Sequence, residues 1–395
     1  MSRYPTWLSS TVSVAFIWAG AAYAADVPMA APEPIPSPAA ITGKCPDPDK
    51  PKCTVKLATG IDMAYIEAGP ENGRPIILLH GLTDSSRSWS PAMAALNAAD
   101  PGLRIFALDQ RGHGATSMPA GATCPASPKS CFIPPYFVAD VAAFMNAMKI
   151  EKAWIAGHSM GSVVAQQLAL DRPDRVSGIV LVATTAKTKD NVIVRDYVLK
   201  EPVMGAWKKG LEAKGITSPE AVWIATPRDA DPNADDWILK NWDVDPIADQ
   251  AFIKAIVPET AVVKMGTWIG ATEALLEFDN SARIASLAVP TLVLWGTQDA
   301  IFYKDPDQTG LLAALRAGKA PFVWKQYGTI ALPASGYQEN EIGHNVQWEA
   351  PREVAADILS FVNTGKPTPD HYVARPGGSG FEIVTEIGKA IIETR

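Results

Sequence analysis

The chain alternates short apolar runs with amphipathic segments from about residue 54 to residue 363. Short apolar runs that end at turn residues are typical of buried strands, and apolar positions at helical spacing are typical of helices that cover a sheet. The pattern predicts an α/β fold whose mostly parallel, eight-stranded sheet is flanked by helices. The predicted strands are 54–57, 62–67, 75–79, 104–108, 152–156, 178–182, 291–295 and 322–326. The predicted helices are 90–97, 136–148, 160–170, 308–316 and 352–361.

The strand pattern stops between the sixth and seventh predicted strands. Residues 185–285 contain helix-like stretches and tryptophans at positions 207, 223, 237, 242 and 268. This segment is predicted to be a helical insertion into a core formed by residues 51–184 and 286–364. Residues 25–50 are rich in Ala and Pro, which predicts an extended arm. Residues 365–395 form a C-terminal extension to which the sequence assigns no function.

The first 24 residues have the pattern of a secretory signal peptide. Arg3 supplies the positive start, residues 12–22 are mostly apolar, and Ala22-Tyr-Ala24 matches a cleavage site between small residues. The apolar run is too short to span a bilayer, and no Cys lies near the cleavage point to carry a lipid. The pattern predicts cleavage after Ala24 and export to the periplasm or the medium, without a stable membrane anchor.

Export changes the interpretation of the four cysteines, Cys45, Cys53, Cys124 and Cys131. In an oxidising compartment, cysteines in loops are expected to form disulfides. Four cysteines allow three pairings, of which Cys45 with Cys53 and Cys124 with Cys131 is the most economical. A zinc site is not expected, because neither pair has short ligand spacing or a nearby histidine.

The composition excludes several classes of protein. A hydrophobic fraction of 47% with 12 Trp excludes a mostly disordered chain. The 42 acidic and 35 basic side chains give a net charge of −7, which argues against a nucleic-acid partner, because phosphate binding needs a basic face. A small neutral or apolar ligand is compatible with this charge. The sequence carries no signal for a particular oligomeric state.

The clearest chemical signal is the motif Gly157-His-Ser-Met-Gly161, which follows an apolar strand and precedes a predicted helix. A G-x-S-x-G motif in this context is typical of a nucleophile elbow, a sharp turn that exposes the serine hydroxyl. Glycines are needed there because neighbouring Cβ atoms would block the turn. The pattern predicts Ser159 as a nucleophile.

A serine hydroxyl needs a general base, which an acid in turn orients. Among the five histidines, His344 lies in a loop after the last predicted strand and just before a helix. Asp299 follows a buried strand and a glycine turn, and it lies between Ser159 and His344 in the chain. We therefore predict a catalytic triad of Ser159, Asp299 and His344. The histidines at positions 80, 113, 158 and 371 are not expected to act as the base.

An acyl-transfer site also needs two backbone donors for the developing oxyanion. The amide of Met160, at the start of the helix after Ser159, is the first candidate. The amide of Leu82 is the second, because Gly81 lets the loop after the third predicted strand approach a carbonyl oxygen closely. Trp89 follows this loop and is predicted to contact the substrate.

Five motifs occur in the order found in the α/β-hydrolase superfamily, which the chain resembles over residues 54–363. They are Leu78-Leu-His-Gly81, Asp109-Gln-Arg-Gly-His-Gly114, Gly157-His-Ser-Met-Gly161, Trp295-Gly-Thr-Gln-Asp299 and Gly343-His344. The chain is most similar to the capped branch that includes esterases, lactonases, perhydrolases and epoxide hydrolases. The resemblance implies that Asp109 and Arg111 are structural, and that residues 185–285 form a cap that roofs the active site.

One feature narrows this resemblance to a branch of the family, and another departs from the family pattern. Ser159 stands where the similar epoxide hydrolases carry an aspartate, which favours acyl transfer. The segment 327–341 is longer than the branch usually carries, and it is expected to reshape one wall of the pocket.

The predicted activity is hydrolysis of a carboxylic ester or lactone through an acyl-enzyme on Ser159. The predicted partner is therefore a small-molecule ester or lactone, and neither a cofactor nor a metal is needed. Two alternatives stay open, namely a peptidase of the same fold and a protein of this fold that binds a small molecule without turnover.

Overall fold

The structure is a computed structural model that describes residues 42–243, 245–329, 332, 341–375 and 380–387. The predicted signal peptide, residues 1–24, lies outside the described residues. So do most of the predicted arm and most of the segment 327–341.

Ten strands form one sheet in the described part of the chain. They are β1 (Cys53–Lys56), β2 (Asp62–Ala68), β3 (Arg74–Leu79), β4 (Leu103–Leu108), β5 (Ala153–His158), β6 (Val176–Val182), β7 (Thr291–Gly296), β8 (Phe322–Tyr327), β9 (His371–Ala374) and β10 (Gly380–Ile387). Their order across the sheet is β1-β2-β4-β3-β5-β6-β7-β8-β10-β9. The strands from β4 to β8 in this order are parallel to one another, and the others are antiparallel to their neighbours.

The predicted mostly parallel sheet is confirmed, but its strand number is ten and not eight. The two additional strands, β9 and β10, come from the C-terminal extension. In β10, Phe381 and Ile383 are buried while Glu382 and Val384 are exposed. This alternation is the pattern of a strand with one buried face. It pairs antiparallel with β8, which it removes from the edge of the sheet.

Twelve α-helices surround the sheet or lie in the inserted segment of the described chain. They are α1 (Ser90–Ala99), α2 (Pro134–Ala147), α3 (Met160–Asp171), α4 (Lys208–Ala213), α5 (Pro219–Ile224), α6 (Pro227–Ala230), α7 (Ala234–Asn241), α8 (Gln250–Thr260), α9 (Met265–Leu275), α10 (Thr309–Ala317), α11 (Val346–Glu349) and α12 (Pro351–Thr364). A wide helical segment, Ile193–Trp207, leads into α4. None of the helices in the described residues is both long and apolar enough to cross a membrane.

Two apolar layers lie on opposite faces of the sheet, because successive side chains of a strand point to opposite sides. In β3, Ile77 and Leu79 join one layer, and Ile76 and Leu78 join the other. The first layer continues into α2, α3, α10 and the inserted helices, and the second is covered by α1 and α12. Both faces of the central strands are therefore covered by packed side chains.

The segment between β6 and β7 contains helices α4 to α9, and we refer to residues 185–285 as the cap. Its tryptophans pack mainly on one another. The ring centroids of Trp207 and Trp268 are 5.0 Å apart, those of Trp207 and Trp237 are 5.3 Å apart, and those of Trp242 and Trp268 are 5.8 Å apart. This aromatic cluster packs the inserted helices together as part of the first apolar layer.

Both predicted disulfides are confirmed. Cys45 is bonded to Cys53, and Cys124 is bonded to Cys131. The first bond closes the end of the predicted arm against the sheet, where the amide of Glu67 in β2 donates to the carbonyl of Cys45 at 3.2 Å. The described part of the arm, residues 42–50, therefore packs on the core.

Candidate active site

Ser159 lies in the sharp turn between β5 and α3. Its backbone has φ of 48° and ψ of −116°, which is a strained conformation for a residue with a side chain. The two glycines of the motif allow this turn. A Cβ on Gly157 would lie 2.2 Å from the carbonyl oxygen of Gly161, and a Cβ on Gly161 would lie 2.2 Å from that of Leu79. The local geometry is that of a nucleophile elbow.

The structure brings Asp299 and His344 into contact. His344 Nδ1 lies 2.9 Å from Asp299 Oδ1. The same carboxyl oxygen accepts the amides of Ile301 and Phe302, each at 2.9 Å, which fixes the carboxyl after the end of β7. Because Asp299 accepts at this position, Nδ1 of His344 carries the proton and Nε2 can act as a base.

The loop that carries His344 is tied to the serine turn by a second histidine. His158 precedes Ser159, and its Nε2 lies 3.1 Å from the carbonyl oxygen of His344. The two imidazole rings have centroids 5.0 Å apart. The ring of Phe302 lies against the other side of His344, at 5.4 Å. These contacts bring the two loops together at the carboxyl ends of β5 and β7.

The loop after β3 lies against the same turn. A Cβ on Gly81 would be only 2.9 Å from Nδ1 of His158, so this loop approaches the serine turn as closely as glycine allows. Leu82 and Met160 are both buried, the first in this loop and the second at the start of α3. Their amides therefore belong to the two segments that flank Ser159.

His80 supports this loop from inside the core. Its Nε2 accepts the amide of Gln110 at 2.9 Å, so Nδ1 carries the proton and donates to the carbonyl of Gly81 at 2.7 Å. Burial lowers the pKa of His80 to about 3, and the ring is neutral at physiological pH. His80 thus supports the loop through these two hydrogen bonds.

The structure corrects the prediction for Trp89. This side chain is fully buried, and its Nε1 donates to the carbonyl of Leu79 at 3.0 Å. It packs in the apolar layer beneath α1, on the face of the sheet away from the cap. The sequence places Trp89 shortly after the loop that carries Leu82. It does not reveal which way the ring turns, because that depends on the packing of α1 on the sheet.

Asp109 and Arg111 have structural contacts, as the resemblance implies. The carboxyl of Asp109 accepts the amides of Ser86 and Ala115 and lies 2.9 Å from Lys52 Nζ. Burial alone would raise the pKa of Asp109, but the Lys52 ammonium and the hydrogen bonds of Ser86 and Ala115 outweigh burial and lower it. Arg111 pairs with Asp140 at 2.7 Å.

The remaining two histidines lie away from the serine turn. Nδ1 of His113 donates to the carbonyl of Arg111 at 2.8 Å, and burial lowers its pKa to about 4. His371 begins β9 at the sheet edge and is exposed. Neither contacts Asp299 or His344.

Sequence reasoning missed a buried carboxyl beside the site. Asp84, three residues after Gly81, accepts the hydroxyl of Ser88 at 3.1 Å, and its Oδ2 lies 3.9 Å from Nδ1 of His158. Burial raises the pKa of Asp84 to about 7. Since Nε2 of His158 faces a carbonyl, its Nδ1 is the bare acceptor. At 3.9 Å the two atoms form no direct hydrogen bond, so Nδ1 of His158 has no hydrogen-bond partner among the described residues.

The cap reaches the same loop. Trp242 Nε1 donates to Thr83 Oγ1 at 2.9 Å. The neighbouring Asp243 is buried, and burial raises its pKa well above the ordinary value, with the charge of Asp84 adding to the effect. The only sequence signal for these contacts was the number of acidic residues in the cap, and burial cannot be read from that number.

No group of three or more His, Cys, Asp or Glu side chains within the described residues is arranged to hold a metal ion. The predicted wall formed by 327–341 falls largely on residues outside the description.

Comparisons with known proteins agree with this fold. Residues 74–351 match the family model for the α/β hydrolase fold. The chain is 31% identical over 239 residues to RutD of Variovorax paradoxus (strain S110), provisionally named a carbamate hydrolase; the match covers 60% of this chain and 78% of the relative. It is 24% identical over 330 residues to an epoxide hydrolase of Caballeronia sordidicola, covering 77% of this chain and 92% of the relative.

A solved structure shows the same fold. The enol-lactonase from Burkholderia xenovorans LB400 superposes with a TM-score of 0.54 at 20% identity, over 79% of this chain and all of the other. At this identity the likeness concerns the fold alone.

Proposed function

The chain belongs to the α/β-hydrolase fold family, and we propose that it is an exported serine hydrolase that cleaves carboxylic esters or lactones. The family makes it a hydrolytic enzyme. The reaction class rests on the residue in the nucleophile elbow, which is Ser159 and not an aspartate.

The proposed reaction has two steps. His344 Nε2 takes the proton of Ser159 as the hydroxyl attacks the substrate carbonyl, and it then donates that proton to the leaving oxygen. Water attacks the resulting acyl-enzyme with the same histidine as base, which regenerates Ser159. Asp299 holds the imidazole in the required tautomer and stabilises the imidazolium that forms in each step.

The observation that carries the proposal is the 2.9 Å contact between His344 and Asp299, beside a serine in a strained elbow. Backbone strain at a buried turn has a free-energy cost, and it persists at functional sites. In a protein that only binds a small molecule, neither the strain nor the oriented imidazole would have a use.

The amides of Leu82 and Met160 are proposed as the oxyanion donors. Both belong to segments that flank Ser159, and Met160 begins a helix whose N-terminal dipole favours negative charge. Each donor is expected to contribute on the order of 3 kcal/mol to the stability of the transition state.

Several relatives fit the proposal to different degrees. A carbamate hydrolase acts on an acyl carbon, as the provisional name of the RutD relative indicates. Epoxide opening differs, and by the family resemblance it uses an aspartate where this chain has Ser159. Export is supported by the two disulfides together with the signal-peptide pattern.

The test is turnover of a substrate panel by the purified chain. p-Nitrophenyl esters, aliphatic lactones, an aryl carbamate and an aminoacyl arylamide should be compared for the wild type and Ser159→Ala. We expect ester or lactone turnover that Ser159→Ala abolishes, and that Ser281→Ala, at an exposed position, leaves intact. Preference for the arylamide would favour the peptidase, and no turnover at all would favour the binding protein.

A further inference from the structure

Glu349 lies five residues after His344, at the end of α11. Its Oε2 accepts the amide of Gly343 at 2.7 Å. Gly343 immediately precedes His344, so this bond fixes the backbone of the loop next to His344. A residue with this contact can control where the imidazole lies without touching a substrate.

Glu349 is also bonded to the cap. Its carboxyl lies against the carboxyl of Asp245, close enough for a hydrogen bond between them. Asp245 is buried and held by its own segment, because Oδ1 accepts the amides of Ile247 and Ala248 at 3.2 and 3.1 Å. Its Oδ2 is buried and receives no N–H or hydroxyl hydrogen bond from the described part of the chain.

Two carboxyl groups can form a hydrogen bond only if they share a proton, because an ionised carboxylate is an acceptor alone. One proton must therefore remain on the pair for the contact between the cap and the loop to exist. Burial raises the pKa of Asp245 to about 6 and the pKa of Glu349 well above its ordinary value.

The charged groups around the pair come from three further elements. Arg375, at the end of β9, donates to the carbonyl of Glu349 at 3.3 Å and lies over the ring of Phe381 at 4.6 Å. Its positive charge faces both carboxyls of the pair, and also those of Glu341 and Glu353. A single guanidinium among four carboxyls does not compensate for full ionisation of the buried pair.

We propose that Glu349 is a positioning residue that joins the cap to the loop of His344 through the proton it shares with Asp245. This inference rests on the proposed function, since it concerns the residue that acts as base there. While the proton is present, the cap and the loop are held together. When it is lost at alkaline pH, the two carboxylates repel and the His344 loop loses its attachment to the cap.

The loop position matters for rate because general-base catalysis depends on the distance between the imidazole and the serine hydroxyl. A displacement of about 1 Å can lower turnover about 100-fold. Substrate binding under the rest of the cap would be affected less. We refer to the contact between Glu349 and Asp245 as the latch. Its failure is therefore expected to lower kcat with little change in KM.

Three variants separate the effect of ionisation from the effect of side-chain shape. Glu349→Gln retains an acceptor for Gly343 and a donor for Asp245, and it cannot ionise. Asp245→Asn likewise removes the repulsion from the cap side. Glu349→Ala removes both bonds. Glu353→Gln is the matched control, since Glu353 also faces Arg375 but lies in α12.

The first readout is the pH profile of kcat and KM with the best ester or lactone. In the wild type, kcat is expected to fall on the alkaline side while KM stays nearly constant. Glu349→Gln and Asp245→Asn should extend activity toward higher pH, and Glu353→Gln should keep the wild-type profile. Glu349→Ala should lower kcat at all pH values. An unchanged alkaline limb in both amide variants would overturn the proposal.

The second readout does not depend on turnover. Hydrogen exchange of the segments 234–260 and 341–349, measured by mass spectrometry and corrected for the intrinsic effect of pH, should rise together in the wild type as pH increases. In Glu349→Gln this coupled rise should disappear. If the wild type shows the coupled rise but no ester turnover, the proposed function is wrong and the latch stands. If exchange of the two segments is independent of pH, the latch is wrong.

Discussion

Two histidine–carboxyl pairs lie side by side at the carboxyl edge of the sheet, and they differ in every respect that matters for catalysis. In the first, His344 faces Asp299 at 2.9 Å and retains 14% of its side-chain exposure. In the second, His158 faces Asp84 at 3.9 Å and retains only 2%. The partly exposed His344 can reach a substrate, whereas the buried His158 holds the His344 loop through the carbonyl of His344.

The difference between the two carboxyls comes from their donors. Asp299 accepts two backbone amides and an imidazole N–H on one oxygen. Burial raises the pKa of Asp84 to about 7, because hydrogen bonds from the Ser88 hydroxyl and from Gly81 only partly offset the cost of burying the charge. The same side chain thus orients a base in one pair and carries a proton in the other. Burial alone does not assign the role of an acid; the donors around it do.

The largest expected effect is a difference in kcat between variants of the two pairs. Asp299→Asn should lower kcat by about 10³- to 10⁴-fold, because the amide favours the wrong tautomer of His344. Asp84→Asn should lower kcat by less than about tenfold, since it disturbs at most one hydrogen bond of the scaffold. Steady-state kinetics on a p-nitrophenyl ester measures both. Equal losses in the two variants would mean that the pairs do not have separate roles.

A second prediction concerns stability and pH. Native Asp84 keeps its proton up to about pH 7, whereas the unfolded chain releases it near pH 4. Between these values the native state binds more protons, so this group lowers the free energy of unfolding as pH rises. The wild type should therefore lose stability relative to Asp84→Asn by up to about 1 kcal/mol per pH unit across this window.

Urea denaturation at several pH values checks this slope, with Glu71→Gln at an exposed position as the control. A difference between wild type and Asp84→Asn that is constant with pH would show that Asp84 is not protonated in the native state.

The smallest expected effect concerns the contact between the cap and the loop after β3, which also carries Asp84. Trp242→Phe removes the bond to Thr83 Oγ1 but keeps an aromatic ring against Trp268. We expect KM to rise by about two- to fivefold with little change in kcat, because one hydrogen bond contributes about 1 kcal/mol. Trp237→Phe, whose ring packs inside the cap on Trp207, is the control. A larger fall in kcat than rise in KM would assign Trp242 to the chemical step.

The sequence predicted the parts of this site that depend on local patterns. The elbow at Ser159 needs glycines at fixed spacing, and Asp299 and His344 follow strands and turns that are visible in the chain. The eight core strands are short apolar runs, which also have a local signature. The same reasoning paired the cysteines correctly, because each pair closes a short loop.

What the sequence did not reveal depends on contacts between distant segments. β10 has the alternation of a strand, but its pairing with β8 exists only once the sheet is formed. Trp89 turns into the layer under α1, and the buried Asp84 and Asp245 face His158 and Glu349, which lie far from them in the chain. Burial of a carboxyl, and hence its protonation, is a property of the packed fold.

The most direct test of the central account is to identify the residue that becomes acylated. The full chain should be mixed briefly with a p-nitrophenyl ester, quenched in acid, and compared with a fluorophosphonate-treated sample by peptide mass spectrometry. The account predicts that both the acyl and the phosphonyl group lie on Ser159, and that Asp299→Asn slows both reactions. Modification of another residue, or product formation with Ser159 free at every time point, would contradict it.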